Sequence, residues 1–226
     1  MKMTWYGQAS FGIESADGVR IVTDPYDPDK AGFKPFPDPA DIVIKSSSSD
    51  DFHDNDHLVP KKAGADVIDA LEVALHDGSV SSHGIGFSAI EAMEHELHPS
   101  GHPDQNAMYR FGIDGIEIGH MGDMGNEFSE EHIEFFRGVN VLLSHAGGFP
   151  VISLEELKRI VGLVRPNLVV PMHFRTLCFK PREMHFITEF LKLFGEETVD
   201  FAFGSVAELC LDDLPAPTRS LVLDYF

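Results

Sequence analysis

Apolar positions fall in short, strand-length stretches through the first half of the chain and shift to a helical period in the second. Apolar segments at 2–6, 10–14 and 19–23 are separated by Gly and Asp, the pattern of a meander. Asp41-Ile42-Val43-Ile44-Lys45 predicts a buried strand that ends in a loop, while Asp27 to Pro39, rich in Pro, Asp and Lys, predicts a loop. Further strands are expected at 66–70, 86–93, 107–113 and 115–120, with an Asp-Gly hairpin turn inside Gly112-Ile113-Asp114-Gly115-Ile116.

The second half alternates helix and strand. Ser153-Leu154-Glu155-Glu156 predicts a capping box, in which the Ser153 hydroxyl takes the Glu156 amide and the Glu156 carboxylate returns to Ser153. Leu154, Leu157, Ile160, Val161 and Val164 then mark one helical face, and Asn167 to Met172 is a buried strand. Pro181 suits the start, and Gly195 the exit, of a helix over roughly Arg182–Phe194. Strands first and helices interleaved later fit an α/β fold of two packed sheets with helices outside.

Composition narrows the function classes. With 226 residues, 43% of them hydrophobic, a single domain over 1–226 can bury a sizeable core. No apolar run approaches the ~20 residues of a membrane helix, and no signal peptide opens the chain, so a cytoplasmic location is expected. Cys178 and Cys210 are no disulfide framework and are expected as small buried hydrophobes. A formal charge of −20 argues against nucleic acid, which is bound through clustered Lys and Arg. The expected partner is a small-molecule substrate, with neither nucleic acid nor membrane involved. An anionic substrate would need a locally positive pocket, because screening removes the global repulsion beyond about 8–10 Å. The apolar end Leu221-Val222-Leu223-Asp224-Tyr225-Phe226 has two possible uses, packing on its own core or on a second copy in a homo-oligomer.

The chemistry concentrates in a few segments. Ser46-Ser47-Ser48-Ser49-Asp50-Asp51-Phe52-His53 follows the strand ending at Lys45. With it come Thr4-Trp5-Tyr6-Gly7-Gln8-Ala9-Ser10-Phe11, Val22-Thr23-Asp24-Pro25-Tyr26 and Ala92-Met93-Glu94-His95. Gly119-His120-Met121-Gly122-Asp123-Met124-Gly125 and Val169-Val170-Pro171-Met172-His173-Phe174 complete the set. In order and spacing these resemble the metallo-β-lactamase superfamily, in particular the metal-dependent hydrolases that include the L-ascorbate-6-phosphate lactonases. The resemblance implies an αββα sandwich of two mixed sheets and a metal site at the strand ends. It also implies that the family's His-x-His-x-Asp-His motif is degenerate here. Ser47 and Ser49 stand at its first two histidines, Phe52 stands at its third, and Asp51 survives; Gln8 replaces another histidine.

The residues left for metal binding are Asp51, His95, Asp123 and His173. His53 is a fifth candidate if the loop path shifts by one residue. Two histidines and two carboxylates suffice for one divalent ion, Zn foremost, with Mn or Fe also suited; full decay of the site would leave none. Asp51 and Asp123 are the candidates for orienting an attacking water. His145, directly after a strand, is open to three readings: replacement ligand, substrate contact or hydrogen-bonded loop residue. Arg175, close to Lys180 and Arg182, has two readings, a hold on an anionic substrate group or an ordinary ion pair with surface Asp and Glu, and Ser47 and Ser49 would line a polar pocket. His120 is expected in the core or behind the ligands. His98 and His102 are expected to be solvent-exposed, with a place bordering the substrate as the alternative, and His132 is expected on the surface. Three functions follow: a single-ion hydrolase of small esters, lactones or phosphoesters; a ligand-binding descendant without catalysis; or a metal-free enzyme using Asp51, His53 and His95.

Overall fold

Period-two alternation decides which face each strand buries, and in the first sheet both faces are used. The computed structural model describes residues 1–48, 51–94, 105–148, 151–179 and 184–225. Its strands are β1 (Lys2–Gly7), β2 (Ser10–Glu14), β3 (Arg20–Thr23), β4 (Ala40–Lys45), β5 (Lys61–Asp69), β6 (Ser79–Ser82) and β7 (Ile85–Met93), followed by β8 (Gln105–Ile113), β9 (Ile116–His120), β10 (Val141–His145), β11 (Leu168–Met172), β12 (Val199–Phe201), β13 (Val206–Glu208) and β14 (Arg219–Val222). They form two mixed sheets, ordered β13-β1-β2-β3-β4-β5 and β12-β14-β11-β10-β9-β8-β7-β6. This is the expected sandwich.

In the first sheet Met3, Trp5, Phe11, Ile13, Ile21, Ile42 and Ile44 face inward and join Phe87, Tyr109, Phe111 and Ile118 of the second sheet in one core. Each fully buried Ile or Phe of this kind contributes about 1.5–3 kcal/mol. The alternate residues Tyr6, Val22 and Val43 face out and pack with Tyr26, Phe33, Phe36 and Phe179 in a second cluster. The 27–39 segment is therefore a lid on the outer face. It also holds a short helix the sequence reading lacked, α1 (Pro28–Ala31), with Asp27 Oδ1 accepting the Asp29 and Lys30 amides. β10 and β11 pair in parallel and are buried at every residue, which is why they read as unbroken apolar runs.

Several expectations change in detail. Asp114 and Gly115 both take positive φ, as the hairpin turn requires. Helices α2 (Ala70–Leu75) and α3 (Glu130–Phe135), and strands β6 and β12 to β14, are additions. Helix α4 (Leu154–Val164) buries Leu157, Ile160, Val161 and Val164, and Ser153 Oγ accepts the Glu156 amide at 3.1 Å. The reciprocal half of that box is missing, because the Glu156 carboxylate accepts the Phe128 amide and the Arg159 guanidinium instead. A reciprocal box occurs at α3, between Ser129 and His132, so His132 is half-buried and structural.

The last helix is shorter than expected, α5 (Ile187–Leu191), preceded by Phe186, which offers no side-chain cap; Pro181 and Arg182 lie outside the described residues. Both cysteines are exposed, a correction, since each lies on a connecting segment outside the two core clusters. Leu223 is buried and Tyr225 packs edge-on against Trp5 at 6.2 Å, so the C-terminal segment closes on its own chain. Among the described residues no helix is long and apolar enough to cross a membrane.

Candidate metal centre

Strands of both sheets end at one rim, and their C-terminal ends carry many of the buried polar residues among those described. Asp24 follows β3, Ser46 and Ser47 follow β4, His120 ends β9, Asp123 sits in the next turn, His145 ends β10 and His173 follows β11. All of these are buried. A cleft at strand C-termini is where open α/β sheets place ligands, because loops diverge there while the core stays closed.

Three side chains converge. Ligand atoms of His53, Asp123 and His173 lie within 4.8 Å of one another. His173 Nε2 is 3.0 Å from Asp123 Oδ1, and His53 Nδ1 is 3.5 Å from Asp123 Oδ2. The His53 and His173 rings are nearly parallel, 5.5 Å apart. Burial alone would raise the Asp123 pKa, but His53 and His173 outweigh it and hold the carboxyl well below the usual carboxylate range.

The turn that presents Asp123 is fixed through its backbone. Gly122 has φ +61, and a Cβ there would lie 2.4 Å from the Ala107 carbonyl oxygen, so no larger residue fits. The Gly122 amide donates to His120 Nδ1 at 3.0 Å, and its carbonyl accepts His145 Nε2 at 2.7 Å. Asn106 Oδ1, from β8, accepts the Asp123 amide at 3.3 Å. His120 in turn donates Nε2–H to the Ala9 carbonyl and stacks on Tyr109 at 4.6 Å. Burial pushes its pKa down from 6.5 to about 3, so it stays neutral. Burial likewise drives the His145 pKa well down. The His173 amide donates to the Gln8 carbonyl, which also accepts the Trp5 indole. Gln8 therefore serves the site through its backbone, whatever its side chain.

The serine loop is anchored from below. Asp24 accepts the Ser46 amide at 2.7 Å, the Ser46 hydroxyl at 2.8 Å and the Tyr109 hydroxyl at 3.3 Å. Beyond it, Phe52 turns outward against Phe179, ring centroids 5.6 Å apart, while its neighbour His53 turns in. An aromatic ring gains by joining the apolar outer cluster, and an imidazole gains by joining Asp123. The loop therefore advances by one residue relative to the family motif.

Of the residues singled out in the sequence, the structure brings together His53, Asp123 and His173, with His145 and Ser47 buried nearby. Asp51 does not join them. Its side chain is 55% exposed and ion-paired to Lys30, and its backbone carbonyl accepts from Asn55 and Asp27. A carboxylate at the loop's outer corner cannot also reach the centre. His95, His98, His102, Ser49, Lys180 and Arg182 lie outside the described residues. Arg175 is half-buried, its guanidinium 4.6 Å over the Phe186 ring, and its Nε has no acceptor among the described residues. The reading of the sequence missed Asn106, which stands in the polar Gln105-Asn106 start of an otherwise largely buried strand and carried no distinctive signal.

The residues fit a cation. Asp123 Oδ1 lies at ion-pair distance from His173 but off the line of a good hydrogen bond. Together with His173 Nδ1 and His145 Nδ1 it lacks a hydrogen-bond partner among the described residues. Such orphans are rare in folded proteins, and three in one cleft call for a ligand. Imidazole and carboxylate donors suit Zn, Mn or Fe.

Known proteins resemble this chain in sequence and fold. The model of the β-lactamase superfamily domain matches residues 2–173. A UPF0173 protein of Pyrococcus furiosus is 30% identical over 186 residues, 78% of this chain and 84% of that one. A UPF0173 metal-dependent hydrolase of the same organism is 26% identical over 219 residues, covering 87% and 93%. Among solved structures, a proposed Zn-dependent hydrolase of the metallo-β-lactamase superfamily from Thermotoga maritima superposes with a TM-score of 0.76, at 28% identity, over 100% of this chain and 99% of that chain. These matches bear on the superfamily and not on its lactonase branch. With its two mixed sheets and a His/Asp cluster at the strand ends, this chain belongs to the metallo-β-lactamase superfamily.

Proposed function

We propose that the protein is a metal-dependent hydrolase with a single-ion centre held by His53, Asp123 and His173, acting on a small ester, lactone or phosphoester. The observation that carries this reading is the convergence of three buried ligand atoms within 4.8 Å, drawn from loops of both sheets. A UPF0173 metal-dependent hydrolase among the relatives supports it. When bound, a divalent ion supplies Lewis acidity, polarising a carbonyl or phosphoryl oxygen and making water more acidic.

The chain's own residues supply the rest. Asp123, held as a carboxylate, is oriented by the gripped Gly122 peptide and the Asn106 side chain. Oriented groups of this kind lower barriers by removing the reorganisation that water would need. Ser47, buried just after β4, is the residue suited to offer a hydroxyl where the family motif has a histidine. Arg175, two residues past His173, is the group suited to an anionic end of the substrate, since a guanidinium pairs with carboxylate or phosphate in two directions at once.

Elemental analysis by plasma mass spectrometry on protein purified without chelator tests the reading. About one tightly held Zn, Mn or Fe per chain is expected, together with turnover of esters, lactones or phosphoesters. Metal-free protein, even after incubation with these ions, would overturn it, and turnover by that metal-free protein would then separate a metal-free enzyme from a ligand-binding descendant.

A further inference from the structure

A cation satisfies lone pairs, such as those of the Asp123 carboxylate, but it cannot satisfy an N–H. Asn106 brings an N–H of that kind to the centre. It is the second residue of β8 and 1% exposed, and its Nδ2 has no acceptor among the described residues. A buried donor left without a partner is destabilising, and a leucine of similar shape would avoid that cost. Which end of the carboxamide faces where is fixed by its other bond. The Asp123 main-chain amide can only donate, and it lies 3.3 Å from Asn106 Oδ1, so the oxygen is at that end and the nitrogen at the other.

Register puts this carboxamide where the two sheets meet. Asn106 pairs with Ala92 of β7, and the next residue, Ala107, donates its amide to the Ser46 carbonyl at the root of the serine loop at 2.9 Å. A Cβ built on Gly122 would lie 2.8 Å from Asn106 Oδ1 and 3.0 Å from the Ser46 Cβ. The carboxamide, the turn that presents Asp123 and the loop that leads to His53 therefore come together at one point. Oδ1 holds the turn, and Nδ2 is the donor left over beside the converging groups.

Resting on the hydrolase reading above, we propose that Asn106 is a further catalytic residue, whose Nδ2–H donates to the carbonyl or phosphoryl oxygen of the substrate. As the oxygen of water bonds to the carbon or phosphorus, an electron pair shifts onto that oxygen, and the hydrogen bond strengthens. The pair returns when the bond to the leaving alkoxide breaks, and the alkoxide takes up the proton that water gave up. A donor already fixed in a closed cleft needs no reorganisation to meet the new charge.

Asn106→Asp and Asn106→Leu test this on Zn-loaded protein, with p-nitrophenyl acetate and p-nitrophenyl phosphate as probes. Both variants remove the N–H; Asn106→Asp keeps an oxygen for the Asp123 amide, and Asn106→Leu adds no charge. The donor role predicts a loss of about 10²–10³-fold in kcat for both, with Zn content and KM close to wild type. It also predicts that Asn106→Asp recovers as pH falls, because the introduced carboxyl then regains a hydrogen to donate. Should Asn106→Leu fail to fold, as judged by circular dichroism, that pH profile decides. If the wild-type protein turns over neither probe, its affinity for inorganic phosphate is read by calorimetry, and at least about 10-fold weaker binding is expected in both variants. Wild-type kcat or phosphate affinity in either variant, or loss of Zn from both, would leave Asn106 as a prop for the Asp123 turn and overturn the proposal. Wild-type protein that takes up no Zn, Mn or Fe would instead defeat the single-ion reading itself.

Discussion

The two sides of the cleft are built differently. The second sheet presents Asp123, His145 and His173 from strand ends whose backbone groups are hydrogen-bonded to one another, so little freedom remains. The first sheet presents a loop pinned at its root by Asp24 and at its outer corner by Lys30, with the path between decided by side chains. The difference teaches where a site tolerates replacement. A ligand on a backbone-locked turn cannot be moved without moving the strand, whereas a loop can trade Phe52 outward and His53 inward.

That contrast can be broken or sharpened by four experiments. The largest effect is expected for Asp123→Ala, which removes the carboxylate common to both histidine contacts. Metal affinity should fall by more than about 100-fold, beyond what losing an outer partner costs, and full occupancy in elemental analysis would refute the assignment.

Gly122→Ala attacks the rigid side without touching a ligand. Its Cβ would overlap the Ala107 carbonyl at 2.4 Å in a left-handed conformation, so a loss of about 2–4 kcal/mol is expected in urea unfolding. A change below about 0.5 kcal/mol would mean the turn is not locked.

The third effect is one of pH. His120 has its pKa depressed to about 3 in the fold against 6.5 ordinarily. Between those values the unfolded chain binds a proton that the folded chain refuses. Its contribution to stability is therefore intact above pH 6.5 and is lost as pH falls, by about 1.4 kcal/mol per unit. Urea midpoints of metal-free protein between pH 7 and 4 should show the decline, and His120→Gln should flatten it by one proton. Parallel curves for the two proteins would contradict the assignment.

Asp51→Ala should have the smallest effect. The side chain is more than half exposed, and its ion pair is of the surface kind that solvent screens and that contributes little to stability. Metal occupancy should stay at the wild-type level; a clear drop would return Asp51 to the ligand set.

Much of the fold was legible from pattern. Strand alternation, the Asp114-Gly115 turn and the buried face of α4 are local properties, carried by side-chain period and backbone φ. Edge strands β12 and β13 were not legible, because three-residue strands carry too little alternation and exist through pairing with β14 and β1. The helix around 182–194 was drawn too long because Pro181 and Gly195 are permissive signals, not boundaries.

For the site, the sequence by itself determined the inventory. Asp123 and His173 were marked by their motifs, and the loss of histidines at Ser47 and Phe52 was visible at once. Only the tertiary structure decided that His53 turns in, that Asp51 turns out to Lys30, and that His145 holds the Gly122 carbonyl. The physical reason is that a ligand's identity is a matter of composition, while its direction depends on which cluster each neighbouring side chain lowers its free energy by joining. That balance is set between the two sheets, across distances in sequence that no local pattern spans.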